Sequence, residues 1–448
     1  MSINRLTSFV VRKLPSSFQD SGVRALMVTS LLGNIIRLLS SLILARLLSP
    51  EAFAVTGLAA TVIFAFNMVT DGGFRAFILK HHNGDEIYLL KTLWTIKFCR
   101  NVILALLMFV SSDAIAVYFA ITDMALVLKV LCLVFIVDGL MPIGFIAIER
   151  QNRIARVMYV RFASALLTTI FMIGGVFYTR DIWPIIASMI MNNVFQVFLG
   201  YFFIGFHGTG FAMNKSIFTE FMGWAKFIIP SSVITLILLQ FDKVMLGRIL
   251  SVSELGLYFV AINFSSAAAS FVIEYARGVL QPYLSIEYRE RPDTYIERKY
   301  QKKQRLSLFF AFGLGVLSGG SYLFFDVLYD ERYLSAGFYL SLLLVAPIMM
   351  LITYPAEVSL ILHGFLKTTL MANISRLIWF FFGALGSYLW WGTTGLLVTI
   401  MLIELFPAVY MLHRLRQLNL VRINAELSIV FVAGIGFLLS CYLLFLFE

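Results

Sequence analysis

The sequence LARLLSPEAFAVTGLAA begins at Leu44, and a similar sequence, LGRILSVSELGLYFVAI, begins 202 positions later at Leu246. Both start with the pattern Leu-x-Arg-x-Leu-Ser, and both continue into a long apolar segment. At the same offset, Arg75 aligns with Arg277 beyond that apolar segment. An offset that holds through a whole segment indicates that the chain contains two copies of one structural repeat.

The composition of the chain is that of a membrane protein. Hydrophobic residues make up 60% of its 448 residues and charged residues only 13%, whereas soluble domains have about 45–50% apolar and about 25% charged residues. The net charge of +10 is explained by basic residues retained in the cytoplasm, so we expect no nucleic acid partner. Cys99, Cys132 and Cys441 lie in apolar segments without metal-ligand spacing, so we expect no bound metal.

Apolar segments long enough to cross a bilayer run through the whole chain. A bilayer core of about 30 Å needs about 20 apolar residues per helix. By this measure the sequence predicts thirteen spans, near residues 23–46, 53–78, 92–112, 125–148, 156–178, 182–206, 222–247, 254–279, 306–325, 336–360, 369–390, 393–412 and 427–447. The first span is too long for a signal peptide, so we expect it to be an uncleaved helix.

Basic residues in the connections set the predicted orientation. With the N-terminus in the cytoplasm, the cytoplasmic connections carry 22 Lys and Arg residues and the external ones 4, which is the expected bias. An odd number of spans then places the C-terminus, Glu448, outside.

Six spans separate the two copies of the repeat, and because six is even the copies have the same direction. The predicted fold is therefore all-α, with two six-helix lobes in a parallel pseudo-two-fold repeat and a thirteenth helix, as in several transporters. We predict lobes at 1–206 and 222–412, a cytoplasmic linker at 207–221, and a linker with the extra helix at 413–448. We expect helix 13 to pack outside the second lobe, remote from any central cavity.

Three stretches, "LARLLSPEAFAVTGLAA", "DGGFRAFI" and "FDKVMLGRILSVSELGLY", resemble the polysaccharide flippases of Wzx type. Their superfamily also contains multidrug extrusion antiporters and lipid II flippases. The resemblance implies a two-lobe core of twelve helices around a central cavity. It also implies export of an oligosaccharide linked to undecaprenyl pyrophosphate across the inner membrane. The thirteen predicted spans depart from the twelve or fourteen helices that are commoner in the family.

Three arginines, together with Asn34, are the predicted substrate-binding residues. Arg37 lies in the middle of the first span, with Asn34 one turn before it, where the side chain is too deep to reach the membrane surface. Arg75 and Arg277 occupy equivalent repeat positions in the second span of each lobe. A planar guanidinium stays charged and binds phosphate through two hydrogen bonds. We expect all three arginines to reach one cavity and bind the pyrophosphate.

Four carboxylates within the spans are predicted to pair with charges or to couple transport to an ion. Asp71 and Glu274 lie four and three residues before their arginines, so each pair is either a neutralised anion clamp or a salt bridge near the headgroups. Asp138 and Glu404 are central in their spans, where they either couple an ion, pair with Arg37 or stay protonated. Basic residues in the cytoplasmic thirds of their spans are interpreted mainly as orientation signals: Lys97, Arg100, Arg161, Lys226 and Arg376.

The sequence favours a transporter over an enzyme. It contains neither G-x-x-x-x-G-K-[ST] nor H-E-x-x-H, and all predicted external loops are short, so we expect no catalytic residues and no cofactor. The first interpretation is a flippase for a lipid-linked oligosaccharide that makes O-antigen, capsule or exopolysaccharide, with H⁺ or Na⁺ and a polysaccharide polymerase as further candidate partners. An ion-coupled multidrug antiporter is the alternative, although Arg37 does not suit a cationic drug. A membrane scaffold for polysaccharide assembly is a third.

Overall fold

The computed structural model describes residues 21–151 and 153–447, and every regular element within those ranges is a helix. The described residues form two compact units, divided between Gly256 and Leu257. The first unit contains nine helices: α1 (Ser21–Leu47), α2 (Pro50–Val69), α3 (Phe74–Lys80), α4 (Ile87–Phe119), α5 (Met124–Gly139), α6 (Gly144–Arg150), α7 (Ile154–Thr179), α8 (Trp183–Phe203) and α9 (Lys215–Ile249). Most of the predicted N-terminal segment, 1–24, lies outside the described residues.

Helix α10 (Val252–Glu274) begins in the first unit and continues into the second, where a π-helical turn, Tyr275–Leu280, follows it. The remaining helices are α11 (Gln281–Glu290), α12 (Tyr295–Gly319), α13 (Ser321–Leu328), α14 (Ala336–Leu343), α15 (Val345–Leu362), α16 (Leu366–Ile378), α17 (Ala384–Met401), α18 (Leu405–Gln417) and α19 (Ile423–Phe447).

The helices account for every predicted span. Within the described ranges, nine continuous helical segments are long and apolar enough to cross a membrane, and eleven if each of two bent pairs is one span. The segment Leu366–Gln417 has 52 residues and is interrupted at Gly392, where φ is 60°. At about 1.5 Å per residue it is long enough for two spans. Helix α1, with 27 residues, is long enough for one more.

The second helix of each repeat departs from α-helical geometry, at positions that adjoin when the repeats are aligned. Helix α2 ends at Val69, and α3 begins after Gly73, whose φ of 71° favours glycine. The Asp71 side chain accepts a hydrogen bond from the Gly73 N–H at 3.0 Å, which stabilises this turn. An offset of 202 from Gly73 leads to Tyr275, the first residue of the π-helical turn. Because of this break, Asp71 and Arg75 do not lie one turn apart on a continuous helix, which is the geometry that their predicted pairing assumes.

Helix pairs build the first unit. Helix α4 packs on α5, α7 on both α1 and α8, and α9 on α2. The Phe221 ring on α9 lies 4.5 Å from Phe74 and 5.3 Å from Phe77 on α3, measured between ring centroids. Helix α9 therefore packs in the first unit by its contacts, although the repeat assigns it to the start of the second half. The lobe boundaries drawn from the repeat stay a prediction.

In the second unit, α19 packs along α12 and also touches α15. Glycines allow the backbones of α12 and α19 to approach closely, because a Cβ on Gly315 would lie 2.1 Å from the Ala433 carbonyl oxygen. Small residues at such positions are typical of helix pairs in membranes. Nearer the start of both helices, the buried Lys303 donates to the buried Glu426. The predicted thirteenth span, α19, is thus a tightly packed part of the second unit. Its distance from a central cavity stays a prediction.

Candidate functional site

Arg37 presents an open guanidinium group. It is exposed on α1, and its Nη2 donates to the Asn34 Oδ1 at 3.1 Å. The two residues are one helical turn apart, so the amide holds the guanidinium against its own helix. This single neutral hydrogen bond leaves most of the five guanidinium N–H donors available to an anion. Asn34 therefore lies beside Arg37 and bonds to it, and a role of both residues in substrate binding stays a prediction.

Arg75 pairs with a residue that the sequence reasoning did not single out. Its Nε lies 2.6 Å from the Oε2 of Glu149 at the end of α6, and Arg161 Nη2 lies 3.8 Å from the other carboxylate oxygen. The Glu149 side chain is 4% exposed and that of Arg75 is 65% exposed. Two arginines therefore share one buried carboxylate, which leaves a positive charge at the surface of this cluster.

Asp71 has a local role in place of the predicted pairing with Arg75, because it caps the turn after α2. Arg100 satisfies the same helix end by donating from Nη2 to the Asn67 carbonyl oxygen at 2.8 Å. Its Nε donates to the Thr70 hydroxyl, also at 2.8 Å. The last carbonyl groups of a helix need such partners, so Arg100 stabilises the break.

The central carboxylate of the first unit is neutralised by a neighbouring helix. Asp138 Oδ2 lies 3.3 Å from Lys97 Nζ and accepts from the Asn101 amide at 2.8 Å. Lys97 also donates to the Asp138 carbonyl oxygen at 2.9 Å. Lys97, which we interpreted as an orientation signal, is thus the ionic partner of Asp138, and the suggested pairing with Arg37 is not the one observed.

The second unit repeats this arrangement with a different set of residues. Arg376 donates to both oxygens of Glu404, from Nε at 3.0 Å and from Nη2 at 2.8 Å. Thr353 donates to the same carboxylate at 2.9 Å. Both charged side chains are largely buried, and a paired geometry of this kind compensates for their lost hydration. Glu404 is therefore paired with Arg376, and not with Arg37.

Arg277 lies in the π-helical turn, exposed, with its Cζ 5.5 Å from the centre of the Tyr354 ring. A guanidinium above a ring is attracted by the negative face of the ring. Its N–H groups point outward in the guanidinium plane, so they stay available for phosphate oxygens. Glu274 is half-buried one turn before it. A cavity shared by Arg37, Arg75 and Arg277 stays a prediction.

No group of three His, Cys, Asp or Glu side chains in the described part of the chain could hold a metal ion. Most of the charged side chains described above form ion pairs, and Arg37, Arg75 and Arg277 are exposed. This arrangement suits an anionic ligand.

Comparison with known proteins identifies the family. Residues 43–337 match the model of a family described as polysaccharide biosynthesis protein. The chain belongs to this family. The succinoglycan biosynthesis transport protein ExoT of Rhizobium meliloti (strain 1021) is 21% identical over 241 residues, which are 54% of this chain and 48% of that protein. The match therefore spans about half the length of that relative.

Solved structures show the fold of this family member. The lipid II flippase MurJ, in an inward closed conformation, aligns with a TM-score of 0.71 and 14% identity over 94% of this chain and 92% of that chain. An inward-facing multidrug resistance MATE transporter of the MOP superfamily aligns with a TM-score of 0.61 and 14% identity, over 86% and 95%. These transporters have a two-lobe fold of 12–13 membrane helices. The chain is therefore a multi-pass membrane protein with the predicted fold.

Proposed function

We propose that the chain is a flippase that moves an oligosaccharide linked to undecaprenyl pyrophosphate from the cytoplasmic to the periplasmic leaflet of the bacterial inner membrane. The observation that carries this proposal is the combination of a polysaccharide biosynthesis family with the fold of a lipid II flippase. The product is O-antigen, capsule or exopolysaccharide, and a polysaccharide polymerase is the partner that would receive the flipped lipid.

The exposed arginines support an anionic headgroup as the ligand. Arg37, Arg75 and Arg277 are each exposed: Arg37 bonds to the neutral Asn34 amide, Arg75 pairs with Glu149, and Arg277 lies over the Tyr354 ring. Removing a pyrophosphate from water costs several kcal/mol per charge unless opposite charges replace the water. Two or three guanidinium groups supply that compensation, and Asp71 acts at the turn beside this site rather than on the headgroup.

The membrane potential supplies a driving force in the proposed direction. Moving a negative charge outward against an inside-negative potential is favourable by about 2.3 kcal/mol per charge per 100 mV. Coupling to H⁺ or Na⁺ would add to this or offset it, depending on the charge moved. The mechanism is transport by alternating access, without a catalytic step.

An ion-coupled multidrug antiporter is the second candidate, because the chain shares its fold with MATE transporters. Such a transporter needs carboxylates that can take up an organic cation. Asp138 and Glu404 are already paired with Lys97 and Arg376, so the described charges favour an anion. A scaffold for polysaccharide assembly would need neither buried ion pairs nor a repeat.

Reconstitution into proteoliposomes tests the proposal. We expect the full chain to transfer the lipid-linked oligosaccharide, extracted from the producing cells, between leaflets, measured by the fraction of sugar that an impermeant oxidant reaches. Protein-free liposomes are the control. Transport of ethidium driven by a proton or sodium gradient, without transfer of the lipid, would instead establish the antiporter.

A further inference from the structure

An open cavity of about 590 Å³ with several polar lining residues lies in the first unit, and none of the three exposed arginines lines it. Four helices, α2, α5, α7 and α8, line it. Its polar lining residues lie near the middle of their predicted spans: Asn67, Asp138, Thr168, Ser188, Asn192 and Asn193. Pockets that bind small molecules have volumes of about 300–1,000 Å³. Polar groups at this depth are costly and usually functional.

The amide and hydroxyl groups of the cavity keep much of their hydrogen-bonding capacity. The Asn193 amide donates once to the Val134 carbonyl oxygen at 3.3 Å, and the Asn67 amide once to that of Ile63 at 3.3 Å. Each amide has two N–H donors and an oxygen with two lone pairs, so one bond leaves both kinds of group available.

The hydroxyl groups of Thr168 and Ser188 each have a fixed hydrogen-bond direction. Thr168 donates to the Ser164 carbonyl oxygen at 2.8 Å, and Ser188 donates to that of Ile185 at 2.6 Å. Since each hydroxyl hydrogen is used by its own helix, the oxygens are left as acceptors for hydrogen atoms of a ligand.

The charge in the cavity favours a neutral ligand. Asp138 is the carboxylate of the lining, and Lys97 lies 3.3 Å from its Oδ2. An unpaired carboxylate would attract a cation, but a paired one mainly accepts hydrogen bonds. The wall of the cavity also contains the Phe64 ring and the apolar side chains of Ile63 and Met189. A sugar ring matches this lining, because its hydroxyls donate and accept while its C–H faces pack on apolar groups.

We propose that this cavity binds a neutral sugar residue of the lipid-linked oligosaccharide, while the exposed arginines bind the pyrophosphate. This inference rests on the proposed function and deepens it, since it divides the substrate between two sites. The cavity would then select among oligosaccharides, and the arginines would recognise the carrier that all of them share.

The test compares two ligands on the wild type, two cavity variants and one control variant of the full-length protein in lipid nanodiscs. The ligands are undecaprenyl pyrophosphate alone and the same carrier with the oligosaccharide of the producing cells. Asn192→Leu keeps the branched shape and the number of side-chain heavy atoms and removes the amide. Gln196→Met, one turn further along α8 and outside the cavity lining, is the matched control. Thr168→Val provides a second test from α7 should Asn192→Leu fold poorly.

We expect Asn192→Leu and Thr168→Val to weaken binding of the oligosaccharide-bearing carrier about five- to tenfold, and to leave binding of the bare carrier unchanged. Gln196→Met should bind both as the wild type does. Unchanged binding of both carriers by the two cavity variants, or an equal loss for both, overturns the sugar site and leaves the proposed function intact. Failure of the wild type to bind either carrier overturns the proposed function itself.

A cation is the competing occupant. If Na⁺ raises the midpoint of thermal unfolding of the wild type but not of Asp138→Asn, and Asn192→Leu keeps full affinity for the oligosaccharide, the cavity is a cation site. That result overturns the sugar proposal.

Discussion

At the scale of single residues, the exposed arginines differ in how firmly the protein already holds them. Arg37 has a neutral amide partner and Arg277 an aromatic ring, whereas Arg75 has a buried carboxylate. An incoming pyrophosphate competes only with a weak bond at the first two positions. At Arg75 it competes with an ion, so binding and release there depend on Glu149.

Replacing Arg37 tests the first of these positions. We expect Arg37→Ala to reduce flipping at least tenfold, because the negative charge of the headgroup is then compensated by one guanidinium group fewer. Arg37→Lys should restore part of the activity, since an ammonium keeps the charge and loses the planar fork. The measurement is the proteoliposome assay, with Arg180→Ala, in the turn after α7, as a charge-matched control. Wild-type flipping by Arg37→Ala would remove Arg37 from the site.

Glu149 is the second residue to test, because it is the internal competitor of the headgroup. Glu149→Gln should lower the free energy of unfolding by about 1–2 kcal/mol, since Glu149 is buried in its ion pair with Arg75 while Arg75 is exposed. It should also tighten binding of undecaprenyl pyrophosphate several-fold, because Arg75 and Arg161 lose their carboxylate. Thermal unfolding and lipid titration measure the two effects.

The control for this change is Asp85→Asn, which removes an exposed carboxylate 3.0 Å from Arg150 and should alter neither property much. Weaker lipid binding by Glu149→Gln would show that Glu149 positions Arg75 for the headgroup rather than competing with it.

At the scale of elements, the helices could be predicted from the sequence and the breaks within them could not. Span length is set by the bilayer and the apolar run alone, so the sequence predicts 53–78 as one segment. The Asp71-Gly72-Gly73 turn interrupts it only through a local side-chain bond and a left-handed glycine. Asp-Gly-Gly was the signal that could have revealed this break.

The close approach of α12 and α19 gives a prediction with an internal control. Gly315→Ala should destabilise the protein by a few kcal/mol, since its Cβ would overlap the Ala433 carbonyl group. Gly313→Ala, on the same helix with nothing within 4 Å of its Cβ, should be neutral or slightly stabilising. The measurement is the midpoint of thermal unfolding of the two purified variants. Equal midpoints would argue against this packing of α19 on α12.

At the scale of the whole molecule, the ion-pair partners of the charged residues could not be predicted from the sequence. Arg75 and Glu149 are separated by 74 positions and Asp138 and Lys97 by 41. Spacing along one helix favours neighbours such as Asp71, and it carries no information on which helix lies opposite. The family and the fold class were predictable because the repeat, the composition and the quoted motifs extend over long stretches of chain.

The orientation in the membrane follows from the same global count of charges and can be measured. We expect a reporter enzyme that is active only in the periplasm to be active when fused after Glu448, and inactive when fused within 207–221. A fusion in the turn between Leu47 and Pro50 should be active. The opposite pattern would reverse the proposed direction of every helix.

The ion pair between Lys303 and Glu426 has a consequence for biosynthesis. The two residues are 123 positions apart in the chain. Lys303 is therefore synthesised before α13 to α18, and its carboxylate partner only after them. Because an uncompensated buried charge is strongly destabilising, the second unit cannot reach its final packing until the last helix is inserted. Nascent chains that stop short of Glu426 therefore lack the carboxylate that neutralises Lys303, and the second unit of such chains stays incompletely packed.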